Sequence, residues 1–385
     1  MPTPRPFRLE VSPAVLDDLH DRLARTRWPD PGNAPGWTQG TEPDYLRDLV
    51  AYWHTGFDWR AQEARLNAQP QFLAEVDGQT LHFLHARSPH AEARPLLLVH
   101  GWPGSVFEFL DLIPRLTTPE AYGGRPADAF HVIAPSLPGY GCSPAPREQG
   151  ADPRRMARWM HGLMHDVLGY QTYHAQGGDW GAVVTSWLAY DQPAAVRGLH
   201  LNMVGLRPSL TPESPPLSEA ERAFLAVART KRSEDFGYQA IQGTRPQTLG
   251  FALHDSPVGL AAWIVEKFRE WSDCGGELER SIPRDVVLAN LTWYWATGSI
   301  TSSMRLYYEY RHGEAGPPAG RRVEVPTAVA AFPAEILSPP REWAERVYRI
   351  VRWTPMPRGG HFAALETPDL LAEDIRAAFA PEAKR

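Results

Sequence analysis

The run Gly177-Gly178-Asp179-Trp180-Gly181 has the pattern small-x-carboxylate-x-small, between a strand-like stretch at 172–176 and a helix-like stretch at 180–190. A strand that turns this sharply into a helix needs glycines at its flanks, and the turn lifts the central side chain clear of the sheet. The N–H of the next residue and the N-terminus of the helix both favour negative charge there. A carboxylate so placed can attack an sp3 carbon, giving an alkyl ester whose carbonyl belongs to the protein; water then cleaves that ester at the Asp179 carbonyl carbon and restores the carboxylate. A serine at the same place would be stranded as an ether. Epoxides and alkyl halides are the reactants this chemistry admits. Read alone, the run is equally an ordinary glycine turn with Asp179 as a helix N-cap.

Two further motifs fall in register with it. His100-Gly101-Trp102-Pro103-Gly104-Ser105 follows the strand-like residues 96–99, where the N–H of Trp102 would pair with that of Trp180 as an oxyanion hole. Arg358-Gly359-Gly360-His361-Phe362 sets His361 in a glycine loop between the last strand and the last helix, the place of a general base. The third member, a carboxylate, belongs between them at a strand end. Glu335, after 323–332 and before a Pro-Pro loop, is the best placed; Asp285, Glu342 and Glu345 fall in helical or inserted sequence. Its work would be to hold the imidazole tautomer and stabilise the imidazolium. The order nucleophile, acid, histidine is that of the α/β-hydrolase fold.

The elements that must position these groups are legible as a change of period. Ser12-Pro13 opens a helix with Val15, Leu16, Leu19 and Leu23 on one face, and Tyr45, Leu46, Leu49, Val50 and Trp53 mark a second, before a short one after Asp58. Residues 72–76, Asp77-Gly78 and 79–85 read as a β-hairpin. Strands at 96–99, 130–134, 172–176 and 198–203 then alternate with helices near 105–116, 152–168 and 180–190, which predicts a mostly parallel sheet flanked by helices. The alternation breaks at a proline-rich 207–218, continues as aromatic-rich helical sequence to a Gly/Pro linker at 312–320, and resumes with strands at 323–331 and 347–353 and a helix at 367–380. The expected organisation is an N-terminal arm over 1–70, a core over 71–206, a helical lid inserted over 207–320, and the second part of the core over 321–385.

Epoxide opening leaves a basic alkoxide that needs a proton, and phenols of pKa about 10 are suitable donors. The lid carries Asp235-Phe236-Gly237-Tyr238, residues 253–262 (LHDSPVGLAA), 293–300 (WYWATGSI) and 302–307 (SSMRLY). With 358–364 (RGGHFAA) and the opening Phe7-Arg8-Leu9, these resemble the microsomal-type epoxide hydrolases over essentially the whole chain. The resemblance implies Asp179 as nucleophile, Glu335 and His361 as the charge-relay pair, and Tyr238 and Tyr307 as the lid tyrosines that hold the epoxide oxygen. Tyr308 rivals Tyr307, and Tyr294 and Tyr310 are also near in sequence. The opening residues carry no apolar run like the anchor of the membrane-bound relatives, so membrane attachment is not expected.

Composition agrees with small-molecule chemistry. A net charge of -6 argues against a broad nucleic-acid surface, and two cysteines, Cys142 and Cys274, make no disulfide framework and suit a reducing cytoplasm. No apolar run is long enough for a membrane span. The expected partners are a small epoxide and water, with no nucleic acid and no membrane; a homodimer through the arm stays open. No cofactor or metal is expected: His161 and His165 stand four apart on a helix, but Gly162 sits where a zinc protease would carry Glu. A haloalkane dehalogenase is the nearest rival, since it shares the Asp nucleophile and often a following Trp; Trp102 in place of asparagine, and the paired tyrosines, speak against it. A non-catalytic ligand-binding protein on the same fold is a more distant reading, opposed by the intact nucleophile, acid and base. A serine esterase is opposed by Asp179 itself, which stands where such an enzyme carries Ser.

Overall fold

In the computed structural model, which describes residues 3–314 and 316–380, nine strands form one sheet in the order β1-β2-β3-β5-β4-β6-β7-β8-β9. The first two residues of the expected arm, one of the linker at 312–320 and the last five of the second core segment lie outside the described residues. The strands are β1 (Arg5–Phe7), β2 (Gln71–Val76), β3 (Gln79–Ala86), β4 (Arg94–Val99), β5 (Phe130–Pro135), β6 (Tyr173–Gly177), β7 (Val196–Leu201), β8 (Val323–Ala331) and β9 (Tyr348–Pro355). From β5 to β9 every pairing is parallel, whereas β1, β2, β3 and β5 pair antiparallel. The hairpin turns on Asp77 (φ 47°) and Gly78 (φ 74°), the left-handed pair that a two-residue connection requires. The parallel strands β4 and β6 end in Leu96–Val99 and Ala175–Gly177, which are buried on both faces as a helix-covered sheet demands.

Three helices, α1 (Pro13–Ala24), α2 (Pro43–Thr55) and α3 (Trp59–Asn67), make up the N-terminal segment. The core then adds α4 (Leu112–Thr117), α5 (Pro153–Gly162) and α6 (Asp179–Asp191). Between β7 and β8 lie α7 (Glu219–Glu234), α8 (Gly237–Gln242), α9 (Pro246–Asp255), α10 (Pro257–Trp271), α11 (Arg284–Thr297) and α12 (Ile300–His312). The short α13 (Arg341–Glu345) and α14 (Ala363–Glu366) precede the closing α15 (Pro368–Ala378). Among the described residues no helix is long and apolar enough to cross a membrane.

Several boundaries differ from the sequence reading. The helix expected near 105–116 is a 3-10 turn at Val106–Phe109 followed by α4, because Pro114 lacks the N–H a continuous helix needs there. The helix expected over 152–168 narrows to α5 and ends in a wider π turn at Leu163–Val167. The edge strand β1 had no periodicity long enough to announce it. The N-terminal segment does more than lie on the core: Trp53 Nε1 donates to Thr292 Oγ1 at 2.9 Å, Tyr52 to Asp285 at 2.8 Å and Thr41 to the Ala262 carbonyl at 2.6 Å, all on the inserted helices, while β1 extends the sheet. It ties the insertion to the sheet edge.

Trp53 is 1% exposed, so Trp53→Ala removes a large buried side chain and leaves the Thr292 hydroxyl without its donor. The expected loss of stability is about 3–5 kcal/mol, measured as a fall in the urea midpoint followed by circular dichroism.

Candidate active site

At the end of β6 the chain passes through Gly177 and Gly178 and enters α6 at Asp179, whose φ is +49°. A non-glycine residue in that left-handed region costs about 1–3 kcal/mol and persists only where its surroundings impose it. The imposition is visible in the neighbours: a Cβ on Gly181 would collide with the carbonyl of Val99 in β4, so the first turn of α6 can pack against the adjacent strand end only as glycine. The Asp179 side chain therefore projects beyond the carboxyl ends of the parallel strands, where three other segments meet it.

The first is the loop after β4. His100 is buried and its Nε2 accepts the N–H of Leu137 at 3.1 Å, so Nδ1 carries the proton and donates to the Gly101 carbonyl at 3.0 Å. Burial pulls its pKa down to about 4, which keeps that tautomer neutral and the loop fixed. The loop aims the N–H of Trp102 at Asp179 Oδ1, 2.7 Å away. Among the described residues the N–H of Trp180, the other expected oxyanion donor, makes no hydrogen bond to this carboxylate.

The second is the loop after β9. His361 Nδ1 lies 2.7 Å from Glu335 Oε1 and Nε2 lies 3.4 Å from Asp179 Oδ2, so the ring bridges the two carboxylates. The loop is anchored by the His361 N–H, which donates to the Trp271 carbonyl at 2.8 Å, and by an isolated bridge between Ala334 and Gly360 that sets Glu335 beside the histidine. Burial disfavours the imidazolium, but Glu335 and then Asp179 outweigh it and hold the pKa of His361 well above its ordinary value.

The third is the insertion. Tyr238 on α8 and Tyr307 on α12 line the same cavity as Asp179, about 330 Å³ in volume and otherwise walled mostly by apolar groups such as Val183, Phe224, Leu337 and Trp343. Their rings lie 5.8 Å apart at 80°, with Tyr238 stacked on Trp102 and Tyr307 edge-on to Trp180. Burial raises the pKa of both phenols well above the ordinary range, and the Asp179 charge adds to the rise. Tyr308 points elsewhere: it lines a surface groove with Arg147 and Arg245, and its ring lies 4.2 Å from that of His312. One step along a helix is a rotation of about 100°, enough to separate the two tyrosines.

Asp179, His361, Glu335, Tyr238, Tyr307 and the backbone of Trp102 are thus brought together at one end of the sheet. His161 and His165 instead stack on one another at the C-terminal end of α5 and the π turn that follows, with His161 bonded to Tyr173 at 2.9 Å. Sequence reasoning missed two ionisable groups. Lys267 is buried with its ammonium 4.8 Å from the centre of the Tyr238 ring, and Glu108 lies beside Asp179 and His361. The available signal was a charged residue inside an apolar run, Val106-Phe107-Glu108-Phe109-Leu110, directly after the loop that carries Trp102.

Residues 4–109 match the family model described as the epoxide hydrolase N terminus, and residues 94–234 match that of the alpha/beta hydrolase fold. A Stigmatella aurantiaca protein provisionally named an epoxide hydrolase is 47% identical over 97% of this chain and 84% of its own length. Epoxide hydrolase 1 of Oryctolagus cuniculus is 40% identical over 96% of this chain and 87% of its own. Among solved structures, the juvenile hormone epoxide hydrolase of the silkworm Bombyx mori superposes with a TM-score of 0.87 at 33% identity, covering 98% of this chain and 94% of that one. The Aspergillus niger epoxide hydrolase gives 0.84 at 32% identity, covering 97% and 95%.

Because Glu335 is the larger of the two influences that raise the His361 pKa, Glu335→Gln should shift the titration of the His361 ring to lower pH in an NMR experiment. A histidine with a raised folded-state pKa contributes stability fully at pH values below its unfolded pKa of about 6.5, and loses it as pH rises through the folded value. The wild-type protein should therefore lose more stability than the variant as pH is raised above about 6.5.

Proposed function

Because the chain belongs to the epoxide hydrolase family on the α/β-hydrolase fold, we propose that it converts an epoxide and water into a vicinal diol through a covalent ester on Asp179. The observation that carries the mechanism is the setting of one carboxylate, with an imidazole 3.4 Å from Oδ2, a backbone donor 2.7 Å from Oδ1 and two phenols in the cavity it faces.

In the first step Oδ2 attacks an epoxide carbon, the C–O bond of the ring breaks, and the oxygen that leaves takes a proton from Tyr238 or Tyr307. The negative charge passes from the carboxylate to a phenolate. Phenols are useful here because an alkoxide needs a proton; a departing halide would not, and this favours an epoxide over an alkyl halide as the substrate. Once the ester removes the Asp179 charge, the proton held on His361 Nε2 is released to solvent, to be taken back when the carboxylate returns. In the second step that Nε2 takes one proton from water as the oxygen attacks the Asp179 carbonyl carbon. Oδ1 carries the developing charge against the N–H of Trp102, with that of Trp180 positioned to join when the carbon becomes tetrahedral. The alkyl–Oδ2 group leaves with the proton from His361, giving the diol, and the proton remaining on Asp179 returns to the phenolate. Glu335 holds His361 in the tautomer that leaves Nε2 free to accept.

A single turnover in oxygen-18 water distinguishes this route from direct attack by water: the first diol should be unlabelled and the label should appear in Asp179. A labelled first diol would falsify the ester. Asp179→Ala should abolish turnover, and Tyr238→Phe and Tyr307→Phe should each slow the rate of ester formation by about 10²-fold, read by stopped-flow quenching of tryptophan fluorescence. A double variant alkylated as fast as the wild-type protein would remove both tyrosines from the mechanism.

A further inference from the structure

Asp179 separates two spaces. One is the cavity of about 330 Å³ that contains Tyr238 and Tyr307; the other is a chamber of about 20 Å³ lined by His361, Glu108, Gln176, Trp102 and the glycines 101 and 104. Among the residues lining each, only Asp179 lines both. His361, the base of the second step, faces the chamber and not the substrate cavity. A chamber of this size accommodates about one water, which needs above about 10–15 Å³ and two to four polar partners. The partners are present. One is His361 Nε2; Gln176, 1% exposed, also lines the chamber with an Oε1 that has no hydrogen-bond partner within the protein and can accept from a donor there, the amide nitrogen being taken up by Asn202 at 2.8 Å.

The third polar group is Glu108. Its carboxyl fills the space where a side chain at position 104 would stand: a Cβ on Gly104 would collide with Glu108 Oε1, so the glycine is what allows this carboxyl into the chamber. Ser105 caps the 3-10 turn that carries Glu108 by accepting the N–H of Phe107 at 3.3 Å, and its own hydroxyl is held at 2.8 Å from Asn290 Oδ1 on α11, so the turn is fixed on both sides. No step described above uses this carboxyl.

We infer that the water that cleaves the ester is held in this chamber by Glu108, whose carboxyl oxygen accepts the water hydrogen not taken by His361, making Glu108 a catalytic residue of the second step alone. With one hydrogen on Nε2 and the other on Glu108, a lone pair of the water faces the Asp179 carbonyl carbon, on the side away from the substrate cavity. Proton bookkeeping is unchanged: His361 takes and returns the proton, and Glu108 only accepts a hydrogen bond. Burial pushes the Glu108 carboxyl up to about 8, with His361 and a backbone N–H at Ser105 opposing and the Asp179 charge adding to the rise. At neutral pH it is therefore mostly uncharged, does not compete with His361 for the proton, and offers a carbonyl oxygen as the acceptor. A glutamine offers the same oxygen.

This inference rests on the Asp179 ester, and the experiment separates the two. Rapid-quench mass spectrometry of the whole protein follows formation and decay of the ester in the wild-type protein, Glu108→Ala and Glu108→Gln. Misplacing a reacting group by about 1 Å costs about 10²-fold, so Glu108→Ala should form the ester at the wild-type rate and hydrolyse it about 10²-fold more slowly, with the ester accumulating in the steady state. Glu108→Gln should recover most of that loss; it also tests the idea should the alanine variant not fold. Decay at the wild-type rate in Glu108→Ala, an equal slowing of both steps, or a glutamine variant as impaired as the alanine one would each overturn the role of Glu108. No ester in the wild-type protein would instead overturn the Asp179 reading on which it rests.

Discussion

The charge on Asp179 is the variable to which the other groups of the site are coupled. It adds to the rise in pKa of Tyr238, Tyr307 and Glu108 and helps to hold His361 in its protonated form. Formation of an ester neutralises that charge without moving any of these groups. The pKa values of the phenols and of the imidazole both fall: the phenols become stronger acids as the alkoxide needs a proton, and the imidazolium gives up its proton more readily, which frees Nε2 to accept one from water. Two opposite demands, an acid for the first step and a base for the second, are met by one change at one atom pair. Salt screens such partly buried charges much less than charges on the surface, so the coupling persists at ordinary ionic strength.

Holding a carboxylate there constrains the backbone. The carboxylate is stabilised by the Trp102 N–H and by the first turn of α6, and both depend on the strand ends of β4 and β6 lying in parallel register, Val99 opposite Gly177. The left-handed conformation at Asp179 is tolerable because Gly181 lets α6 close onto Val99. The phenols come from a different part of the chain, and their positions depend on the inserted helices staying over the strand ends. That is where the N-terminal segment matters: with β1 in the sheet and Trp53, Tyr52 and Thr41 bonded to α11 and α10, it resists opening between sheet and insertion.

Much of this was legible in the sequence because it rests on local patterns. A strand, a glycine turn and a helix around Asp179, a glycine loop around His361 and a strand end before Glu335 each declare themselves within about ten residues. What was not legible depends on rotation or on distance along the chain. Tyr307 and Tyr308 are chemically identical neighbours, and only the rotation of α12 among the helices it packs against sends one into the cavity and the other into a groove. The break between Phe109 and Leu112, ahead of Pro114, was by contrast available to a stricter reading of the helix near 105–116. Glu108 was hidden differently: its significance depends on Gly104, four residues earlier, having no side chain, a relation that appears as a steric fact only once the turn between them is built.

The division of space around Asp179 bears on the order of events. If water and epoxide shared one cavity, a base able to activate water could direct it at the epoxide carbon, and the covalent step would confer no advantage. Here the imidazole faces a chamber with room for about one water, whereas the phenols face the substrate, and the carboxylate is the only lining residue common to both. Water in that chamber has a carbonyl carbon to attack only after the ester exists, since a free carboxylate repels nucleophiles. The partition fits the proposed order of alkylation before hydrolysis, with the epoxide in the largely apolar cavity and the proposed water on the other side of the carboxylate.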